Sequence, residues 1–337
     1  MECEFAVETA IKAGYRLIDT ANNYRNEGQV GNALKKCIDE GVVKREDMFI
    51  TTKLWVTTWR AEDVAKAISI SLERLQTDYI DLLLVHEPAF INLTEEGERS
   101  RREGDFLDVD MVLPNDPKYR LGYNLDCLKE MWGAMEKAVR EGKVRSLGVA
   151  NFSSKKVNDV LSFCTIPPAM DQVEMHPYLQ QWEVKEALEK HGIKMTAFYP
   201  LGGSANQNND GTGGNESIEF GFLANHNKGK IALLKNPQIL AIAKNHNKTP
   251  AQILLRWAVQ RGTVCIPKSV HENRIKENFD IFDFELTDEE MKEIRSMDMR
   301  KRYSDVSDTL FPGESNSRDY WDNEYLYNCL LIDGFPK

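Results

Sequence analysis

The chain has 337 residues, of which 42% are hydrophobic, with a formal net charge of -10 and a pI near 5.3. This length and apolar content are sufficient for one large domain with a sizeable core. The acidic balance, without a Lys- or Arg-rich segment, argues against nucleic acid as a partner. Six scattered cysteines without metal-site spacing, and no apolar run of about 18 residues, predict a cytoplasmic protein with neither a metal site nor a membrane span.

Short apolar, β-branched segments recur along the chain. They cover residues 16–20, 48–53, 80–86, 145–150, 169–174, 194–199 and 263–268. Stretches with helical periodicity separate them, for example the one that contains Val64, Ile68 and Leu72. This alternation predicts an α/β fold of the TIM (β/α)8 type, in which a parallel sheet closes into a barrel. Seven strands are evident, and the first helical stretch, residues 5–13, begins so near Met1 that we expect the first of eight strands to be absent.

The expected organisation is one barrel domain, residues 1–300, followed by a C-terminal tail, residues 301–337. Two long loops, at about 87–124 and 201–229, interrupt the alternation of strands and helices, and the second contains the low-complexity run NNDGTGG. Both follow predicted strand ends, so we expect them at the mouth of the barrel. We expect the tail to pack near the same mouth through aromatic anchors, which are Tyr320, Trp321, Tyr325 and Tyr327.

Four polar residues follow or end three successive predicted strands, namely Asp19, Tyr24, Lys53 and His86. Catalytic groups of a TIM-type barrel lie at the C-terminal ends of its strands, so we expect these side chains to meet. Carbonyl reduction needs a hydride donor at the carbon and a proton donor at the oxygen. A tyrosine can donate that proton if a nearby ammonium lowers its pKa from about 10, a carboxylate keeps the ammonium charged, and an imidazole hydrogen-bonds the carbonyl.

Six motifs occur in a fixed order: GYRLIDTA at 14–21, NEGQVG at 26–31, ITTKLW at 50–55, DLLLVH at 81–86, GVANF at 148–152 and IPKS at 266–269. With them the chain, from residue 5 to about 300, resembles the aldo-keto reductase superfamily, and within it the aldose and aldehyde reductases. The resemblance implies a TIM barrel that binds NADPH and reduces aldehydes and ketones. It further implies Tyr24 as the general acid, Lys53 and Asp19 as the groups that lower its pKa, and His86 as the group that orients the carbonyl.

The resemblance also implies a set of residues that hold NADPH or NADP+. They are Asp19, Asn151, Gln172, Phe198, Tyr199, Leu201, Lys268, Ser269, Arg274, Glu277 and Asn278. Asn151 and Gln172 match the amides that hold the nicotinamide carboxamide, and the aromatic residue at 198 or 199 matches the ring that stacks on nicotinamide. Lys268 and Arg274 lie where the family clasps the adenosine end, and paired cations there favour a 2'-phosphate, hence NADPH over NADH.

The expected substrate pocket contains Trp55, His86 and Glu87. Glu87 departs from the family pattern, since aldose and aldehyde reductases commonly have a tryptophan after the histidine. A carboxylate beside His86 favours polar or cationic substrates, or raises the pKa of the imidazole.

Three functions follow as hypotheses. The first is an NADPH-dependent reductase of small carbonyl compounds, including sugars, which also runs in reverse as an alcohol dehydrogenase. The alternative is an NADP(H)-binding regulatory or weakly active barrel protein, favoured by the missing strand and opposed by the complete set of four catalytic residues. A third is a phosphate-binding barrel enzyme that does not bind NADPH. We expect a monomer or weak oligomer without a membrane partner, and no G-x-G-x-x-G or P-loop supports a Rossmann domain.

Overall fold

The computed structural model describes residues 2–103, 114, 116–203, 232–304 and 320–322. Seven of the strands form one parallel sheet in the order β1-β2-β3-β6-β7-β8-β9, in which each strand lies beside the one that precedes it within this sheet, and β4 and β5 pair separately. These strands are β1 (Leu17–Asp19), β2 (Phe49–Leu54), β3 (Ile80–Val85), β6 (Val144–Ala150), β7 (Met170–Glu174), β8 (Lys194–Phe198) and β9 (Val264–Cys265). All seven predicted strands are confirmed, and the sheet has the TIM-barrel type of architecture expected from the sequence.

Helices separate the strands, as the periodicity predicted. They are α1 (Glu2–Ala13), α2 (Glu27–Asp39), α3 (Ala61–Leu75), α4 (Glu95–Glu103), α5 (Leu125–Arg140), α6 (Ser154–Phe163), α7 (Trp182–Glu189), α8 (Pro237–His246), α9 (Pro250–Gln260), α10 (Glu272–Phe279) and α11 (Asp288–Arg295). The predicted capping box at α11 is present, with Thr287 accepting from Glu290 N and Glu290 accepting from Thr287 N. Among these helices, none is long and apolar enough to cross a membrane.

The core lies between the strands and the helical layer. β3 is buried at all six positions because it stands inside the sheet with helices outside it. Side chains from α3 and α5 pack on the outer face of the strands, among them Val64, Ile68 and Met131. The result is a rigid support for the residues at the strand ends.

β1 and β9 are the two edge strands of the sheet, and both are short. The segment predicted as a strand over residues 263–268 is extended and paired only at Val264–Cys265. Ile266 N still donates to Ala197 O at 3.2 Å, but Pro267 has no N–H and cannot continue the ladder. The helical layer is continuous beside these edges, because α1 contacts both α2 and α10. Tyr15 Oη, just after α1, donates to Ile275 O of α10 at 3.0 Å.

The segment predicted as a long loop over residues 87–124 contains regular structure. β4 (Phe90–Ile91) and β5 (Arg120–Gly122) form an antiparallel pair, and α4 lies between them in sequence. Arg101 anchors α4, since its buried guanidinium lies 3.1 Å from the Asp63 carboxylate. The segment predicted as one long loop therefore contains a strand pair and a helix, while its residues 104–113 and 115 lie outside the described residues. Residues 204–229 of the second predicted loop lie outside the described residues.

Candidate active site

The C-terminal ends of β1, β2 and β3 bring the four predicted catalytic side chains together. Asp19 ends β1, Lys53 lies near the end of β2, and His86 directly follows β3. Tyr24 ends a short 3-10 helix, Asn22–Tyr24, beyond β1. Lys53 Nζ donates to Asp19 Oδ1 and lies 3.5 Å from Tyr24 Oη. Tyr24 Oη in turn lies 3.5 Å from His86 Nε2.

Lys53 is fully buried, and the protein compensates its charge. Its ammonium donates to Asp19 and to the carbonyl oxygen of Thr20 at 3.0 Å. Burial acts to lower the pKa of Lys53, but Asp19 and Tyr24 outweigh burial, and the net pKa is raised above its ordinary value. Lys53 is therefore a permanent ammonium at the centre of the site.

The pKa of Tyr24 differs from the sequence-based expectation. Burial raises the pKa of this phenol more than the Lys53 ammonium lowers it, and the Asp19 charge raises it further. The expected fall toward neutrality is not found. Tyr24 is held as a neutral phenol that keeps its proton, with Lys53 placed to stabilise negative charge as it develops on the oxygen.

His86 is a neutral imidazole in this site. Burial, and then the nearby Lys53 ammonium, lower its pKa well below the ordinary value, so the expectation that Glu87 raises it was wrong. The imidazole meets the Trp55 ring edge-on at 5.3 Å between centroids. Its Nδ1 has no hydrogen-bond partner among the residues described. A neutral ring can donate a hydrogen bond without competing for the proton of Tyr24.

Two further predicted cofactor residues are hydrogen-bonded to members of this group, one to the Asp19 side chain and one to the His86 backbone. Gln172 Nε2 donates to Asp19 Oδ2 at 2.7 Å, from β7. Asn151 Nδ2 donates to the carbonyl oxygen of His86 at 3.1 Å, and Asn151 has a left-handed φ of 62° just after β6. Both amides are thereby fixed at the same end of the sheet as the catalytic residues.

The aromatic pair after β8 lies at the same end. Phe198 is the last residue of β8, and its ring meets the Tyr199 ring edge-on at 5.3 Å between centroids. Both rings, and Leu201 after them, are half-buried. Gly203 closely approaches the Tyr199 ring, since a Cβ at this glycine would stand 2.8 Å from a ring atom. The loop therefore supports the ring from one side.

The other five predicted cofactor residues lie after β9 and along α10. They are Lys268, Ser269, Arg274, Glu277 and Asn278. Lys268 and Arg274 are exposed and form no ion pair with another described residue. Ser269 Oγ accepts from the backbone at 3.1 Å, Glu277 accepts from Thr249 Oγ1 at 2.7 Å, and Asn278 is buried.

The tail reaches the pocket beside His86. Tyr320 is fully buried, and its hydroxyl donates to Glu87 Oε2. Burial raises the pKa of Glu87 to about 8. Arg302 stacks on the Trp321 ring at 3.4 Å from its centroid. Tyr325 and Tyr327, also predicted as anchors, lie outside the described residues.

Several contacts of the site were missed by the sequence reasoning. Asp322 accepts from Ser153 Oγ and from Lys156 Nζ, each at 2.5 Å, which fastens the tail to the start of α6. A buried cluster behind the site contains Asn22, Glu27, Thr52 and Ser71. Glu27 belongs to a quoted motif, but no periodicity or spacing indicated its partners.

Comparison with known proteins agrees with this geometry. The aldo/keto reductase family matches residues 2–299. An aldo-keto reductase family 1 member A1 from Gallus gallus is 39% identical over 324 residues, which cover 96% of this chain and 89% of the relative. An NAD(P)H-dependent D-xylose reductase from Scheffersomyces stipitis is 39% identical, covering 91% of this chain and 89% of the relative.

Solved structures give the same result. An aldose reductase from Schistosoma japonicum superposes with a TM-score of 0.76 at 34% identity, covering 96% of this chain and 91% of that one. An aldo-keto reductase from Bombyx mori, solved in complex with NADP, superposes with a TM-score of 0.72 at 32% identity, covering 92% of this chain and 88% of that one. The fold and the matches together define an NADP(H)-dependent oxidoreductase of carbonyl groups. The chain belongs to the aldo/keto reductase family, and the resemblance read from its motifs is confirmed.

Proposed function

We propose that this protein reduces the carbonyl group of small aldehydes and ketones to an alcohol with NADPH, with Tyr24 as the proton donor. The observation that carries the proposal is the convergence on one phenol oxygen: Lys53 Nζ and His86 Nε2 each lie 3.5 Å from Tyr24 Oη. A phenol flanked by an ammonium and a neutral imidazole is suited to donate a proton to an oxygen that gains negative charge.

Each of the four catalytic side chains has a distinct role in the proposed reaction. His86 and Tyr24 hydrogen-bond the substrate oxygen and hold the carbonyl in one orientation. Bound NADPH supplies the hydride that the carbonyl carbon receives. Tyr24 releases its proton to the substrate oxygen, Lys53 stabilises the phenolate left behind, and Asp19 holds Lys53 in place. Hydride and proton together convert the carbonyl to an alcohol.

The residues at the strand ends fit NADPH. Gln172 uses its amide nitrogen on Asp19, which leaves the amide oxygen to accept from a carboxamide group. The Tyr199 ring, supported by Gly203, offers a flat surface for the nicotinamide. Lys268, just before α10, and Arg274, in its first turn, form no ion pair within the described part of the chain, and a 2'-phosphate bound there also gains from the helix N-terminus.

Glu87 sets the polarity of the pocket. The carboxyl is buried beside His86, and its pKa of about 8 keeps it mostly protonated at neutral pH. A neutral carboxyl can both donate and accept a hydrogen bond, so it favours hydroxylated carbonyl compounds over wholly apolar ones. Above pH 8 its charge disfavours substrates that carry a carboxylate.

NADPH oxidation across a panel of neutral, hydroxylated and carboxylate-bearing carbonyl compounds tests the proposal. We expect turnover with NADPH, weaker turnover with NADH, and a preference for hydroxylated aldehydes. Binding of NADPH, seen as fluorescence quenching, without oxidation of NADPH by any compound would support the NADP(H)-binding alternative instead. Absence of NADPH binding would contradict both.

A further inference from the structure

A buried carboxyl outside the catalytic residues links the Tyr24 loop to the strand that carries Lys53. Glu27 is the first residue of α2 and is only 1% exposed. Its Oε1 accepts from Thr52 Oγ1 at 2.6 Å and from Asn22 Nδ2 at 3.2 Å. Asn22 lies two residues before Tyr24 in the same 3-10 helix, and Thr52 directly precedes Lys53 in β2. One carboxyl oxygen thus joins the two segments that position the phenol and the ammonium.

This cluster lies behind the wall of the active site. Side chains alternate between the faces of a strand, so Thr52 and Lys53 point in opposite directions. Lys53 faces the catalytic residues, whereas Thr52 meets Glu27 on the side of the helical layer. Asn22 Nδ2 also donates to Ser71 Oγ of α3 at 2.7 Å. The four side chains of the cluster are at most 1% exposed, so none of them can touch substrate.

We propose that Glu27 is a positioning residue that sets the separation between Tyr24 Oη and Lys53 Nζ. The inference rests on the proton-donor role proposed above for Tyr24. The separation is 3.5 Å, and the stabilisation of a developing phenolate by an ammonium falls as the distance grows. A restraint on the loop is therefore a restraint on the acidity of Tyr24 during the reaction.

The backbone of the loop shows why it needs a restraint. Arg25, the residue after Tyr24, has a left-handed φ of 54°, a conformation unfavourable for a side chain with a Cβ unless the surroundings impose it. Asn22 on one side and Glu27 on the other are joined across this turn. Thr20 Oγ1 adds a second tie, to Asn26 Oδ1 at 2.6 Å. Without the Glu27 contacts, the loop keeps the Thr20–Asn26 tie and the bond of Asn22 to Ser71 on α3, but it loses its side-chain link to Thr52 of β2.

Four variants of the full chain, assayed with NADPH, test the role. Glu27→Ala removes both contacts and lowers kcat/KM by about 10²-fold, as expected for a misplacement of the order of 1 Å, with the Kd for NADPH within about twofold. Because Tyr24 must be protonated to donate, reduction slows above its pKa. A weaker Lys53 contact raises that pKa, so the alkaline limb of the kcat profile moves to higher pH. Glu27→Gln keeps an oxygen for Thr52 and retains most of the activity.

Glu136→Ala is the matched control. Glu136 is another buried carboxyl, on α5, and it accepts from Thr165 N at 2.6 Å and Ile166 N at 2.9 Å without contacting the Tyr24 loop. This control lowers Tm but leaves the alkaline limb unchanged. If Glu27→Ala does not fold, Thr52→Val, which removes one donor at nearly constant volume, shows the same shift in smaller degree.

Two results overturn the proposal. In the first, Glu27→Ala and Thr52→Val both keep the wild-type alkaline limb of the kcat profile, and their loss of Tm resembles that of Glu136→Ala. Glu27 would then contribute to stability alone. The second is amide hydrogen exchange over residues 20–26 that is no faster in the Glu27 and Thr52 variants than in the control. The exchange measurement needs no substrate, so it tests whether Glu27 restrains the loop even if the wild-type chain reduces no carbonyl compound. Failure of the wild-type chain to reduce any carbonyl compound would refute the proposed function separately.

Discussion

The two groups of candidate residues in this protein differ in how deeply they are buried and how many contacts hold them. Lys53 is fully buried and is held by contacts to Asp19, Tyr24 and the Thr20 carbonyl. Lys268 and Arg274, by contrast, are exposed and without ion pairs among the described residues. The first group is fixed by several contacts, whereas the second presents its charges at the surface.

The difference agrees with the roles proposed for the two groups, proton transfer for the first and phosphate binding for the second. A proton donor works only if its neighbours already stand where charge will develop, since reorganisation during the reaction raises the barrier. A phosphate clasp has no such requirement, because Coulomb attraction and flexible side chains close the contact after encounter. The cost of burial falls on the first group alone, and it appears as the raised pKa of Tyr24 and the lowered pKa of His86.

Tyr24→Phe gives the largest expected effect on turnover. The substitution removes the proton donor while the ring is kept, so kcat falls by about 10³-fold, within the range known for general acids. The Kd for NADPH, measured by fluorescence quenching, stays close to wild type because no clasp residue changes. Turnover at the wild-type rate would show that another group donates the proton.

Lys53→Met tests whether the buried ammonium serves stability, chemistry or both. Loss of one partner leaves the largely buried Asp19 carboxylate with Gln172 as its one remaining side-chain donor among the described residues, at a cost of about 3 kcal/mol of unfolding free energy. Because the Tyr24 phenolate is no longer stabilised, kcat also falls, by about 10²-fold. Thermal unfolding and steady-state kinetics measure the two losses.

The double variant Asp19→Asn/Lys53→Met separates the loss of stability from the loss of turnover. It removes both charges, so Tm recovers toward wild type while kcat stays low. Recovery of turnover together with Tm would mean that Lys53 contributes packing rather than charge, and the contrast between the two groups would lose its basis.

Arg274→Ala addresses the exposed group and has a smaller effect. One charge-assisted contact to a phosphate is lost, so the Kd for NADPH rises about tenfold while the Kd for NADH stays unchanged. Salt screens exposed charges, so the difference shrinks at high ionic strength. Lys276→Ala is the control, because Lys276 lies on the same helix but is paired with Glu272 at 2.6 Å. An equal loss for NADH would argue against 2'-phosphate recognition.

Much of the fold was predictable because its signals are local. The apolar β-branched runs marked all seven strands of the parallel sheet. The polar residues at the ends of the first three runs indicated that Asp19, Lys53 and His86 lie at the same end of that sheet. The pairing of Phe90–Ile91 with Arg120–Gly122 was missed, because runs of two or three residues are too short to show alternation.

What sequence reasoning missed depends on contacts between distant segments. Glu27 at a helix start has an ordinary explanation as a favourable charge near the helix N-terminus, and nothing local shows that Thr52 and Asn22 converge on it. The net direction of the Tyr24 pKa was also misjudged, since the depth of burial, which decides it, is a property of the assembled barrel.

Glu87→Gln gives the smallest expected change in turnover. Glu87 is buried like the catalytic residues, but the motif resemblance assigned it no catalytic role. With neutral carbonyl compounds kcat/KM changes by less than about threefold, since Gln resembles the protonated carboxyl that prevails at neutral pH. The stability of the two proteins diverges instead. The folded-state pKa of Glu87, about 8, lies above its ordinary value of 4.5, so the folded chain holds a proton that the unfolded chain has released.

The proton that the folded chain holds on Glu87 determines at which pH the stabilities of the two proteins differ. As pH rises from about 4.5 to 8, the wild-type protein loses stability, on the order of a few kcal/mol, that Glu87→Gln does not lose. Tm measured at pH 5 and at pH 8.5 is therefore similar for the two proteins at the lower pH and higher for the variant at the upper pH. Tyr320→Phe, which removes the donor to Glu87, is the companion variant, and its Tm falls most where the carboxyl is charged. Parallel Tm curves for wild type and Glu87→Gln would mean that Glu87 ionises normally, and that the pocket carries a full negative charge at neutral pH.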